Sequence, residues 1–145
     1  MRPIEGIVAS VQDPAGRGRP PDTVLLTVPA HASFLATIQA AVRATVREVG
    51  GGDGDRDLQL AAGEAAAVLI EDARPWTVVH LSIAHDDTDI YVRLTTRRAQ
   101  PARRLVIHEL TWLLLDDLVE SYELITDGRL AHAILQAAQD GAGLP

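Results

Sequence analysis

The 145 residues contain no cysteine, no lysine and no asparagine, and all 13 basic residues are arginine. Without thiols the chain has no disulfide framework, no thiol nucleophile, no iron–sulfur cluster and no cysteine-type zinc site. Arginine in place of lysine, beside many alanines, reads as codon bias of a GC-rich genome and says little about chemistry. No apolar run approaches the ~18 residues that a membrane span needs. The opening MRPIEG also lacks the apolar stretch of a signal peptide. The expectation is a cytoplasmic protein that does not engage a membrane. Positive charge is short as well. The net charge of −7 repels phosphate backbones, so direct nucleic-acid binding is not expected. The one basic cluster, Arg97, Arg98, Arg103 and Arg104, lies in a single polar segment and reads as a solvated loop.

What is present is a chain of ordinary single-domain length with 47% hydrophobic residues, enough to bury a core unaided. Residues 1–22 read as an extension, with a short strand over Ile4 to Val11 and a Pro/Gly/Arg linker over Asp13 to Asp22. Residues 23–140 read as one domain. Thr23 to Val28 is β-branched and apolar, then stopped by Pro29, and predicts a strand. Phe34, Ile38, Val42 and Val46 recur every fourth residue and predict a helix that ends at Gly50–Gly52. Asp53 to Asp57 reads as a charged loop supplying an N-cap. A second helix follows to about Asp72, with Leu58, Ala61, Ala62, Ala65, Val68 and Leu69 inward.

Val79, Leu81 and Ile83 alternate with Val78, His80 and Ser82, and Ile90, Val92 and Leu94 with Tyr91, Arg93 and Thr95, around the short polar segment His85 to Asp89. That pattern predicts an antiparallel hairpin. Thr96 to Arg104 reads as loop. A third helix is expected from about Ala102 or Leu105 to Asp117, with Val106, Leu110, Leu113 and Leu114 inside and Trp112 at the core's edge. Asp127-Gly128 between two apolar runs signals a closing hairpin, although Arg129 to Ala138 is alanine-rich enough for a helix. The order predicts an α+β two-layer sandwich, a mixed sheet of about five strands with three helices on one face.

Three stretches carry a family resemblance: Val28-Pro29-Ala30 entering the first helix, DLQLAAGEAAAVLIEDA from Asp57 to Ala73, and residues 105–138. The second is similar to the N-box helix of GHKL ATPases, of the form D-L-x-L-A-V-x-E-A-x-x-N-A. Together they resemble the serine-kinase anti-sigma factors of bacterial partner-switching systems, over roughly Thr23 to Ala138. The resemblance implies a histidine-kinase-type ATPase fold, a magnesium–nucleotide site, and a protein partner: a sigma factor, an anti-anti-sigma factor, or a second copy.

The nucleotide machinery that the resemblance implies is altered at each element. Magnesium would be held by hard oxygen ligands during phosphoryl transfer. The N-box acid maps onto Glu64, but the metal-ligating Asn maps onto Val68, which has no oxygen to offer. In the adenine-binding D-x-G-x-G turn, Thr96 stands at the Asp and Arg98 at the first Gly. The glycine-rich lid is replaced by Gln100-Pro101-Ala102-Arg103-Arg104. The expectation is a pseudokinase: no cofactor, no metal site, no catalytic residue, and Glu64 a leftover on a helix flank. Function then rests on protein binding, with the first helix, the 96–104 segment and Ile4 to Val11 as candidate contacts. Two alternatives stand beside it, an active ATP-dependent serine kinase with a divergent site and a dimerisation or scaffold domain.

Other constellations carry less. His31, His80, His85, His108 and His132 fit no zinc spacing, and His108-Glu109 has Trp112 where H-E-x-x-H needs its second histidine. Ser33, Ser82 and Ser121 lack nucleophile-elbow glycines.

Overall fold

In the computed structural model, residues 23–49 and 54–139 are described. The expected extension with its Ile4 to Val11 strand, and the glycines read as the first helix's stop, lie outside them. The elements run β1 (Thr23–Pro29), a 3-10 turn (Ala32–Phe34), α1 (Leu35–Glu48), α2 (Gly54–Asp72), β2 (Val78–His85), β3 (Asp89–Arg97), α3 (Glu109–Leu118), β4 (Ser121–Asp127) and β5 (Leu130–Ala138).

The five strands lie in the order β1-β2-β3-β5-β4, and every pairing is antiparallel. The expectation of a mixed sheet is corrected there, while the α+β two-layer class holds. Period-two alternation sends one set of side chains to the helices, and the register lines these up across the sheet. One row is Leu26, Leu81, Leu94, Ala133 and Leu124, and the next is Val24, Ile83, Val92, Leu135 and Tyr122. Such cross-strand neighbours are the contacts that stabilise a sheet.

Both hairpin turns have local causes. The Asp86 carboxylate accepts from the backbone N–H groups of Thr88 and Asp89 at 2.9 and 2.8 Å. At the second turn, Gly128 is the first central residue with φ +58°, a conformation that glycine adopts without penalty. The last run is a strand despite its alanines, because Ala131, Ala133 and Leu135 are fully buried in the sheet.

Helix α1 buries Ile38, Val42 and Val46, three members of its predicted stripe, and leaves Phe34 half-buried. Helix α2 is the central helix and touches α1, α3, β3 and β5. Ala61, Ala62, Ala65 and Ala66 are fully buried there, and side chains this small let neighbouring backbones come close. Of the segment expected as a loop over Asp53 to Asp57, the described residues 54–57 are helical. The helix begins at Gly54, and Asp55 and Asp57 occupy its first turn, where carboxylates suit the positive end of the dipole. Arg47 of α1 meets Asp55 at 3.3 Å.

Helix α3 departs furthest from expectation. It starts at Glu109, and it buries Thr111 and Leu115. Val106, Leu110 and Leu113, expected inside, are 57%, 65% and 58% exposed, and only Leu114 is half-buried. The helical period was read correctly but its inward side was not. Packing against α2 at the layer's margin presents the Thr111–Leu115 side to the core. The 3.6-residue period itself does not choose between the two sides.

Candidate functional site

The last two turns of α2 and the segment after β3 line a pocket of about 270 Å³, with Val68, Glu71, Asp72, Gln100, Arg103, Arg104 and Val106 among its walls. Positions four apart on a helix share a face, so Glu64, Val68 and Asp72 rise along one side of α2. Eight residues separate the outer two, roughly 12 Å of rise.

Arg98 organises the site. It is 3% exposed, not part of a solvated loop as its cluster suggested. Its Nε donates to Asp72 Oδ2 at 2.7 Å and its Nη2 to Asp72 Oδ1 at 3.1 Å. Nη2 also donates to the Arg103 carbonyl at 2.7 Å, and Nη1 to that of Pro101 at 3.2 Å. The hydrogen bonds to Asp72 hold the guanidinium's pKa above its usual value, so it stays charged. The backbone is stitched at the same place. Arg74 N–H donates to Arg97 O at 2.8 Å and Ala99 N–H to Asp72 O at 3.0 Å, around a bridge between Ala73 and Arg98. Thr96 and Arg97 therefore continue β3, where a loop was expected. The sheet pairing Thr96↔Ala131 keeps them in the ladder.

The other positions singled out in the sequence are scattered around this centre. Val68 is 7% exposed and forms an apolar wall of the pocket. Thr96 is buried, and its hydroxyl is committed to the Val78 carbonyl at 2.8 Å. Glu64 lies half-buried outside the lining, accepting from the Thr111 hydroxyl at 3.5 Å. The structure thus joins Arg98 with the pocket that Val68 lines and leaves Glu64 and Thr96 apart from it. Asp72 was missed. A buried arginine requires an acid, and the carboxylate four residues beyond Val68 was the available signal.

The histidines serve local roles. His31 Nδ1 accepts from the Ser33 N–H at the head of the 3-10 turn. His80 shares a hydrogen bond with Thr27, and His132 with Thr95, at 3.0 and 3.2 Å. Burial lowers the pKa of both. His108 stands 3.9 Å from Glu71 on an exposed surface. Trp112 is at the margin, as expected, 38% exposed with its ring 5.8 Å from that of Tyr122.

No family profile and no curated protein matches the chain. Among solved structures it is similar to the crystal structure of the RsbU and RsbW domains of Rv1364c from Mycobacterium tuberculosis, with a TM-score of 0.61 and 18% identity. The match covers 81% of this chain and 32% of that one. The shared feature is the fold. This chain spans about a third of the length of that one, and what it shares is the five-stranded sheet with three helices. No helix among the described residues is long and apolar enough to cross a membrane.

Proposed function

We propose that the protein is a regulator of the anti-sigma kind that acts by binding another protein and has given up nucleotide chemistry. The observation that carries this reading is the Arg98 guanidinium, held by four hydrogen bonds at the position where the resembling kinases place a glycine. The residues present do not fit a magnesium-bound nucleotide. Val68 offers no oxygen to a hard cation, and the Thr96 hydroxyl already serves Val78. The 99–103 segment, which would have to open over a nucleotide, is anchored from below by Arg98 through the carbonyls of Pro101 and Arg103. The charges in the pocket wall, Glu71 and Asp72 against Arg103 and Arg104, balance one another.

Regulation needs only differential affinity for one state of a partner, and a sigma factor or an anti-anti-sigma factor is the partner class that the fold suggests. Calorimetric titration with ATP and with ADP, magnesium present, tests the reading. No saturable heat is expected, and micromolar binding overturns it. The active-kinase reading leans on Glu64, which is retained and within reach of Thr111. It requires phosphorylation of an anti-anti-sigma partner that disappears in Glu64→Ala.

A further inference from the structure

We propose that the outward face of α3 docks a basic, amphipathic helix of the partner protein, which deepens the protein-binding reading above by naming its surface. Leu110 and Leu113 are 65% and 58% exposed, and Val106, four residues before Leu110, is 57% exposed. The same helix turns Thr111 inward with Leu115. A helix that buries a threonine and shows two leucines to water leaves hydrophobic free energy unused in the isolated chain. Contiguous apolar surface of this kind marks an interaction site. Leu110 and Leu113, three residues apart, form one ridge on the helix, with Val106 in the segment that leads into it, and such a ridge suits interdigitation with that of a second helix.

Charge selects the occupant. Glu109, Asp116 and Asp117 are exposed on the same helix, and α3 contains no basic residue. By the 100° step of the helix, Leu113 falls between Glu109 and Asp117. Asp117, and Asp116, which already accepts from the Tyr122 hydroxyl, sit in the last turn, where the macrodipole is already negative and a carboxylate is disfavoured. That local cost is relieved when a cation arrives. A complementary surface therefore carries leucine-like side chains in its centre and Arg or Lys at its rim. A second copy would oppose six carboxylates in one contact and is disfavoured. Nucleic acid and anionic lipid are repelled by the same charge.

The test uses the full chain with Trp76→Phe, a substitution at a fully exposed side chain that leaves Trp112 beside the ridge as the one remaining tryptophan. Its emission is followed while an 18-residue helical peptide is added, with leucine on one face and lysine on the other, and again with every lysine replaced by glutamate. Saturable binding of the lysine peptide is expected, at least tenfold tighter than that of the glutamate peptide. The double variant Leu110→Glu/Leu113→Glu is expected to bind at least tenfold more weakly with an unchanged thermal midpoint. Because it adds two negative charges, simple Coulomb attraction would make it bind more tightly. Equal or tighter binding by the double variant overturns the proposal. So does equal binding of the two peptides. Absence of saturable binding by the full chain overturns it too, including where the ridge is already covered by residues 1–22 or by a second copy seen in sedimentation. Nucleotide calorimetry is independent of these outcomes, so the loss of one reading is distinguishable from the loss of the other.

Discussion

Arg98 chelates both carboxylate oxygens of Asp72 and so ties the chain leaving β3 to the last turn of α2. The arginine side chain is 1% exposed and the aspartate 17%, which makes this a largely desolvated pair. Replacing such a pair wholesale by apolar residues is often neutral, whereas removing one member strands the other's charge.

Arg98→Ala is therefore expected to destabilise the fold by about 3 kcal/mol, measured by urea unfolding. Arg98→Lys is expected to recover little, because an ammonium cannot form the two-pronged contact and reach the carbonyls of Pro101 and Arg103 as well. Hydrogen exchange at the Ala99 and Arg103 amides, now bonded to Asp72 O and Gln100 O, should accelerate in both variants. Protection left intact in Arg98→Ala would show that the segment is held by its backbone alone.

The orientation of α3 gives a paired expectation. Leu115 is fully buried in the common core, so Leu115→Ala should cost about 3 kcal/mol through lost burial and a residual cavity. Leu113→Ala, two residues earlier on the solvent side, should change stability by less than about 0.5 kcal/mol. Chemical denaturation of the two variants decides it. Similar costs at both positions would mean that α3 is rotated from the orientation described.

These two cases mark where the sequence was legible. The strand over Val78–His85 and the stripe Ile38, Val42 and Val46 could be read because one face of each element is buried continuously and the opposite face is not, and the strand over Thr23–Pro29 because its β-branched run is stopped by Pro29. Gly128 announced its own turn through its backbone. Helix α3 lacks that contrast, since Leu110, Leu113 and Leu115 are equally apolar while only the last faces α2. A surface kept apolar for something outside the chain cannot be told from core by periodicity. Val68, Thr96 and Arg98 could be singled out in the sequence, but the pairing of Arg98 with Asp72, 26 residues apart, depends on the tertiary bridge between Ala73 and Arg98. The all-antiparallel sheet likewise follows from which strands meet in space.

Acid sensitivity should be traceable to the sheet face that bears His80 and His132. Burial is the main cause that lowers the His132 pKa, the Arg93 charge adds to it, and Asp127 opposes it. Burial alone lowers that of His80. A histidine whose folded pKa is depressed takes up its proton more readily in the unfolded chain. Its stabilising contribution is complete above the unfolded value of about 6.5 and is lost as pH falls below it. The thermal midpoint should therefore drop between pH 7.5 and pH 5. His132→Gln, which keeps a polar partner for Thr95 but cannot be protonated, should show a shallower drop. Parallel curves for variant and parent would remove His132 from the account.

The sharpest test of the proposed loss of nucleotide chemistry is to restore the residue that the resemblance implies. Val68→Asn returns the carbonyl oxygen of the resembling kinases at a position 7% exposed. The new amide replaces apolar wall, and without a full set of hydrogen-bond partners it should cost about 1–3 kcal/mol, read as a lower denaturant midpoint. It should not confer affinity for magnesium and ATP, since Arg98 still holds Asp72 and the carbonyls of Pro101 and Arg103. Adding Arg98→Gly removes that obstacle and loosens the segment, so any residual capacity for nucleotide should emerge only in the double variant. Calorimetry on the two single variants and the double separates the contributions. Micromolar binding by Val68→Asn alone would mean that one missing ligand, and not the buried arginine, had silenced the site.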